Sequence, residues 1–232
     1  MRASRSSTSP ARAARAAPDG RWRWCWPAWR LGRCGAVAER VRVTPVLAAL
    51  CVAAHGLGDR LAAALAWERA AILHGEVWRL WTGHLVHYSL SHAAADALAL
   101  LAAGLLAESM LGARRFGIIL AAGAAGISAG LLACAPDLAE YRGVSGLSML
   151  VAALAGVLAW RDRPALRWPV ACAAAVLVAK IAWEASAPAA TVAGLPAGVA
   201  VAWQAHWLGL LAGACAAAIV PGRTTANRMT VG

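Results

Sequence analysis

The run "FGIILAAGAAGISAGLLAC" (residues 116–134) contains no charged side chain and one hydroxyl, Ser128. A helix needs about 20 predominantly apolar residues to cross the hydrocarbon layer of a bilayer, so this run reads as a membrane span. Outward from it, comparable runs lie at 43–64, 84–109, 143–160, 168–186 and 199–220. They recur too densely for a single anchor carrying a soluble domain. The fold class expected is therefore all-α, a polytopic membrane protein of six transmembrane helices. Composition agrees, with 61% hydrophobic and 14% charged residues, against about 45–50% and about 25% in soluble domains. The second run carries His84, His87, His92 and Asp96, so that side of it must face protein and not lipid.

A formal net charge of +11 on a soluble face would suggest nucleic acid, but here the charge is sorted by topology. Ten of the 22 basic residues precede residue 43; Arg114 and Arg115 lie between runs two and three, Arg161, Arg163 and Arg167 between runs four and five, and Arg223 and Arg228 follow run six. All of these fall on one side if the N-terminus is cytoplasmic. The other side holds Arg60, Arg69, Arg79 and Arg142, diluted by Asp59, Glu68, Glu76, Asp137 and Glu140. The positive-inside rule then gives six spans with both termini in the cytoplasm and no role for nucleic acid. Three segments follow: a basic, disordered cytoplasmic arm (1–42), a six-span domain (43–220) and a short cytoplasmic tail (221–232). The arm ends in "RWRWCWPAWRLGRCG", whose tryptophans suit the headgroup layer, although an organellar transit peptide has a similar composition. The six cysteines show no CxxC spacing and read as small apolar residues.

Polar side chains are costly inside a membrane, so their clusters point to function. Three stand out: "WRLWTGHLVHYSLSHAAAD" (78–96), "GVSG" (143–146) and "QAHWLGLLAG" (204–213). With six spans and a cytoplasmic N-terminus, runs two, four and six all descend from the outer face, and each cluster sits near the top of its run. Ser145 and His206 can therefore meet. Gly209 and Gly213 follow His206 at three and seven residues and, with Gly146, keep the facing helices thin enough for close approach.

A serine hydroxyl becomes a nucleophile when an imidazole takes its proton, which makes Ser145 the candidate nucleophile and His206 the candidate general base. No acid lies near His206 on its own span, so the expected arrangement is a dyad without the orienting carboxylate of a triad. Gly143 and Gly146 permit a tight helix start with free N–H groups for an oxyanion, and His92 adds a side-chain donor. Ser128 and Ser148 read as structural, bonded to a carbonyl one turn earlier. His84 and His87 read as braces of the loop before the second span, and His55 and His74 as structural. A metal or haem held by His84, His87, His92 and His206 is the competing use of the histidines. The five-residue step from His87 to His92 and the lack of HExxH weigh against a metalloprotease, so no cofactor or metal is expected.

The residues "HYSLSHAAAD" (His87, His92, Asp96), "GVSG" (Gly143, Ser145, Gly146) and "AHWLGLLAG" (Ala205, His206, Gly209, Gly213) resemble, in order and position, the motifs of the rhomboid intramembrane serine proteases. The "GEVWRLWTGHLVH" opening, "YRGVSGL" and "AKIAWE" are similar to the bacterial rhombosortases in particular. The resemblance covers about residues 43–220. It implies cleavage of membrane-anchored proteins near the outer face of a bacterial cell membrane. It also implies that the substrates are exported proteins bearing a C-terminal GlyGly-CTERM sorting tail. One departure is that Asp96 stands where the family has an asparagine that helps the oxyanion hole. An ionised aspartate cannot donate, so the resemblance requires that Asp96 be protonated or have another partner such as a histidine. The competing class is a rhomboid-like adaptor or chaperone without activity; such proteins typically lack the serine or the histidine, and this chain has both. A small transporter fits less well, because the polar residues gather at one face.

Overall fold

The computed structural model describes residues 43–186, 195, 199 and 201–221. The basic arm and the tail from residue 222 lie outside the described residues. In chain order the elements are α1 (Val43–Ala54), a 3-10 turn (His55–Leu57), α2 (Asp59–Leu65), β1 (Trp67–Glu68), α3 (Arg69–Leu73), α4 (Arg79–Thr82), α5 (Leu90–Leu111) and α6 (Ala113–Cys134). They continue with β2 (Glu140–Tyr141), α7 (Ser145–Asp162), a second 3-10 turn (Pro164–Leu166), α8 (Arg167–Ser186) and α9 (Trp203–Ile219). The protein is mostly helical; its one sheet among the described residues pairs β1 with β2 antiparallel, Trp67 opposite Tyr141 and Glu68 opposite Glu140.

Among the described residues, three helical segments are long and apolar enough to cross a membrane: Leu90–Leu111, Ala113–Cys134 and Pro164–Ser186. The other three expected spans meet shorter helices. The run 43–64 is not one helix: α1 ends at Ala54, and Gly58, with φ +80°, turns the chain before α2. A positive φ is inexpensive only for glycine, so the helix cannot continue through it. The run 84–109 also begins later than expected. Helix α5 starts at Leu90, where the Ser89 side chain accepts the His92 N–H at 3.1 Å as an N-cap. His84 and His87 thus sit in non-helical chain ahead of the helix.

Helix α7 is the central element, with Leu150, Val151 and Leu154 almost wholly buried. It packs most extensively on α9 and next on α5. Small residues allow this: a Cβ placed on Gly209 would lie 2.1 Å from the Gly146 carbonyl oxygen, and one on Gly213 would lie 2.1 Å from that of Leu150. Backbone meets backbone along the seam, the contact that drives helix association where lipid is as apolar as leucine. At the other side, Glu108 of α5 caps α1: its carboxylate accepts the Val43 N–H (2.9 Å), the Thr44 N–H (2.9 Å) and the Thr44 hydroxyl (2.7 Å). Helix α8 is the exception. Only Ile181 and Glu184 along it are buried, so it attaches to the body chiefly near its C-terminal end.

Candidate active site

The approach to α7 is a tight turn with defined partners. Gly143 has φ +134°, and a Cβ there would lie 3.1 Å from Asp96 Oδ2 and 3.3 Å from His92, so both the backbone and its surroundings call for glycine. Its N–H donates to the Gly83 carbonyl (3.1 Å). The Tyr141 hydroxyl donates to the Gly143 carbonyl (2.6 Å) and accepts the Gly146 N–H (3.4 Å), which ties β2 to the first turn of α7. Burial pushes the Tyr141 hydroxyl's pKa up, so it stays a donor. Ser145 is the first residue of α7, half-buried and beside this hydroxyl. The first N–H groups of a helix have no intrahelical partner. Here the N–H groups of Val144, Gly146 and Ser148 are spent on His87 Nε2 (3.3 Å), Tyr141 Oη and the Val144 carbonyl (2.9 Å). The Ser145 N–H has no acceptor among the described residues. Fewer N–H groups are free at this turn than its glycines suggest.

His206 enters from α9, buried at 4% exposure, three residues before Gly209 and so on the face that meets α7. Its Nδ1 lies 2.7 Å from Glu184 Oε2 of α8, with both side chains buried. The other carboxylate oxygen, Oε1, accepts from Lys180 Nζ one turn earlier on α8. The expected absence of an acid beside His206 is thereby corrected: the acid comes from the neighbouring helix, where spacing along span six could not reveal it. Ser145 and His206 line one cavity of about 280 Å³, together with Tyr88, His92, Asp96 and Glu184.

Asp96 has histidine neighbours. Its Oδ2 lies 3.3 Å from His87 Nε2 and 3.4 Å from His92 Nε2. The Val144 N–H donates to His87 Nε2, so that nitrogen carries no proton, and Nδ1 is left to donate to the Leu85 carbonyl at 3.2 Å. The His92 ring stacks on Tyr88 and meets His87 edge-on, and its Nδ1 is buried without a partner among the described residues. His84 stands apart from the cavity: its Nε2 lies 3.2 Å from both the Ala124 carbonyl and the Ser128 hydroxyl. Ser128 in turn donates to the Leu80 carbonyl (2.8 Å), which belongs to α4 and not to a preceding turn of its own helix. Ser148 also lines the cavity, but its hydroxyl bonds the Val144 carbonyl at 3.3 Å. Among the described residues, no group of three or more His, Cys, Asp or Glu side chains is arranged to hold a metal ion.

Sequence reasoning missed Glu184, Lys180 and Tyr141. A signal for the first was present, an acid near the end of an apolar run that rises toward the level of the other clusters.

Apolar helices long enough to cross a bilayer support a multi-pass membrane protein, with Ser145 and His206 lining one cavity between its helices. A family model described as Rhomboid domain matches residues 74–223, and the chain belongs to the rhomboid family. Members of that family are generally serine intramembrane proteases that act on membrane-embedded substrates. No curated protein matches the chain.

Proposed function

We propose that this protein is an intramembrane serine endopeptidase in which Ser145 is the nucleophile and His206 the general base. The observation that carries the reading is that Ser145 of α7 and His206 of α9 line the same cavity, at the level where Gly146 and Gly209 let the two backbones touch. In this mechanism the His206 imidazole takes the Ser145 proton as Oγ attacks the scissile carbonyl. The tetrahedral oxyanion is held by the Ser145 N–H, with a side-chain donor from His92. His206 then passes its proton to the leaving amine, and water releases the acyl enzyme. Asp96 stands behind His92, its Oδ2 3.4 Å from His92 Nε2, and Gly143 leaves room for Asp96 and His92.

Charge distribution supports six spans with both termini cytoplasmic, which sets the cavity near the outer face of a bacterial cell membrane. Resemblance to the rhombosortases supports exported substrates with a C-terminal GlyGly-CTERM tail. The test is co-expression with such a tailed substrate: Ser145→Ala and His206→Ala are each expected to abolish cleavage, and retained cleavage in either variant would sink the assignment. A fluorophosphonate probe separates this reading from an adaptor, which has no activated serine to label.

A further inference from the structure

We infer that Glu184 is the positioning residue of this site: it fixes His206 in the tautomer whose Nε2 can act as a base, completing a Ser145–His206–Glu184 relay across three helices. The inference rests on the proposed nucleophile and base, and adds a residue that their motifs do not contain.

Four observations carry it. The Glu184 carboxylate meets His206 Nδ1 at 2.7 Å, a charge-assisted distance. Both side chains are buried, so little solvent screens the pair. A carboxylate only accepts, so Nδ1 must be the protonated nitrogen, and Nε2 keeps its lone pair. Finally, Lys180 occupies the second oxygen, so the carboxylate is anchored from both ends and its orientation is set. The helix that brings this acid has only one other buried residue, Ile181, so a hydrophobic seat for α8 does not by itself explain a buried glutamate at this point.

Lys180 makes the inference sharply testable. In Glu184→Gln the ammonium will hold the amide oxygen, which turns the amide NH2 toward His206. That group donates to Nδ1 and drives the proton to Nε2, the wrong tautomer for a base. Removing the ammonium as well, in Lys180→Met/Glu184→Gln, lets the amide flip and accept from Nδ1 again.

The experiment uses the full-length protein in proteoliposomes and reads kcat and KM on a tailed substrate, the rate of fluorophosphonate labelling, and thermal stability. Glu184→Gln should lower kcat and the labelling rate on the order of 10⁴-fold, in line with loss of the orienting acid in serine hydrolases. KM should stay within about threefold, and Lys180→Met/Glu184→Gln should recover at least tenfold over the single variant. A purely structural tie would show no such recovery. The inference is overturned if Glu184→Gln and Glu184→Ala both keep kcat within about threefold of the parent, if the loss in activity only follows loss of folded protein, or if the double variant is no faster than Glu184→Gln. Failure of the parent protein itself to label or cleave would instead overturn the protease assignment.

Discussion

Replacing Gly209 by alanine tests whether the close seam between α7 and α9 sets the chemistry. The added Cβ would sit 2.1 Å from the Gly146 carbonyl oxygen and 3.0 Å from Met149 Cβ. Ordinary van der Waals contact begins at 3.4 Å, so the backbones must part by 3.4 − 2.1 = 1.3 Å at this level. A side-chain rotation cannot absorb the shift, because the obstacle is backbone. Ser145 is one residue from Gly146 and His206 is three from Gly209, so the separation passes almost undiminished to the reacting pair. A misplacement of about 1 Å costs on the order of 10² in rate, and the strained seam costs about 1–3 kcal/mol in stability. The assay is steady-state cleavage of a fluorogenic membrane-anchored peptide at a temperature where the variant remains folded, with Gly126→Ala as the control. Gly126 has nothing within 4 Å of its added Cβ and should behave as the parent. If Gly209→Ala cleaves with kcat within about threefold of the parent, the claim that backbone contact positions the pair is wrong.

Two further outcomes follow from the same geometry. Gly143→Ala combines an unfavourable φ of +134° with a Cβ 3.1 Å from Asp96 Oδ2; it should lose about 1–3 kcal/mol in thermal denaturation and depress cleavage further than that loss explains, and a variant with parental melting and activity would refute it. Glu108→Ala leaves the buried donors of Thr44 without their acceptor, so stability should fall by about 3 kcal/mol while the labelling rate of the folded fraction is unchanged; a melting curve like the parent's counts against the capping role.

Hydropathy located α6 well, because charges flank that run (Arg114 and Arg115 before it, Asp137 after) and glycine with φ +80° at Gly112 marks its start. It failed where the backbone breaks without a change in polarity. The segment from His84 to Tyr88 is as apolar as many helices, and only the Ser89 cap shows that α5 begins after it. The same limitation hides the interruption at Gly58, since alanine- and leucine-rich chain continues on both sides. In the cavity, the serine, the histidines and the glycines could be placed because each motif lies on a single span and depth follows from the rise per residue. Glu184 could not, because its partner is on α9 and neighbour relations between helices have no period within one sequence. The neighbours of Asp96 were legible only as a class, histidines, and the geometry specifies which two nitrogens face it.

Helix α8 has a consequence for the membrane around the protein. Trp168 and Trp183, 78% and 66% exposed, mark its two ends as side chains suited to the bilayer interfaces, while little of the helix between them is held by protein. A thicker or thinner bilayer therefore changes the tilt of this helix more readily than that of its neighbours. Its firmest polar grip on the body is the Glu184 carboxylate on His206, so lipid thickness is transmitted to the imidazole first, and the same polypeptide would work at different rates in membranes of different acyl length.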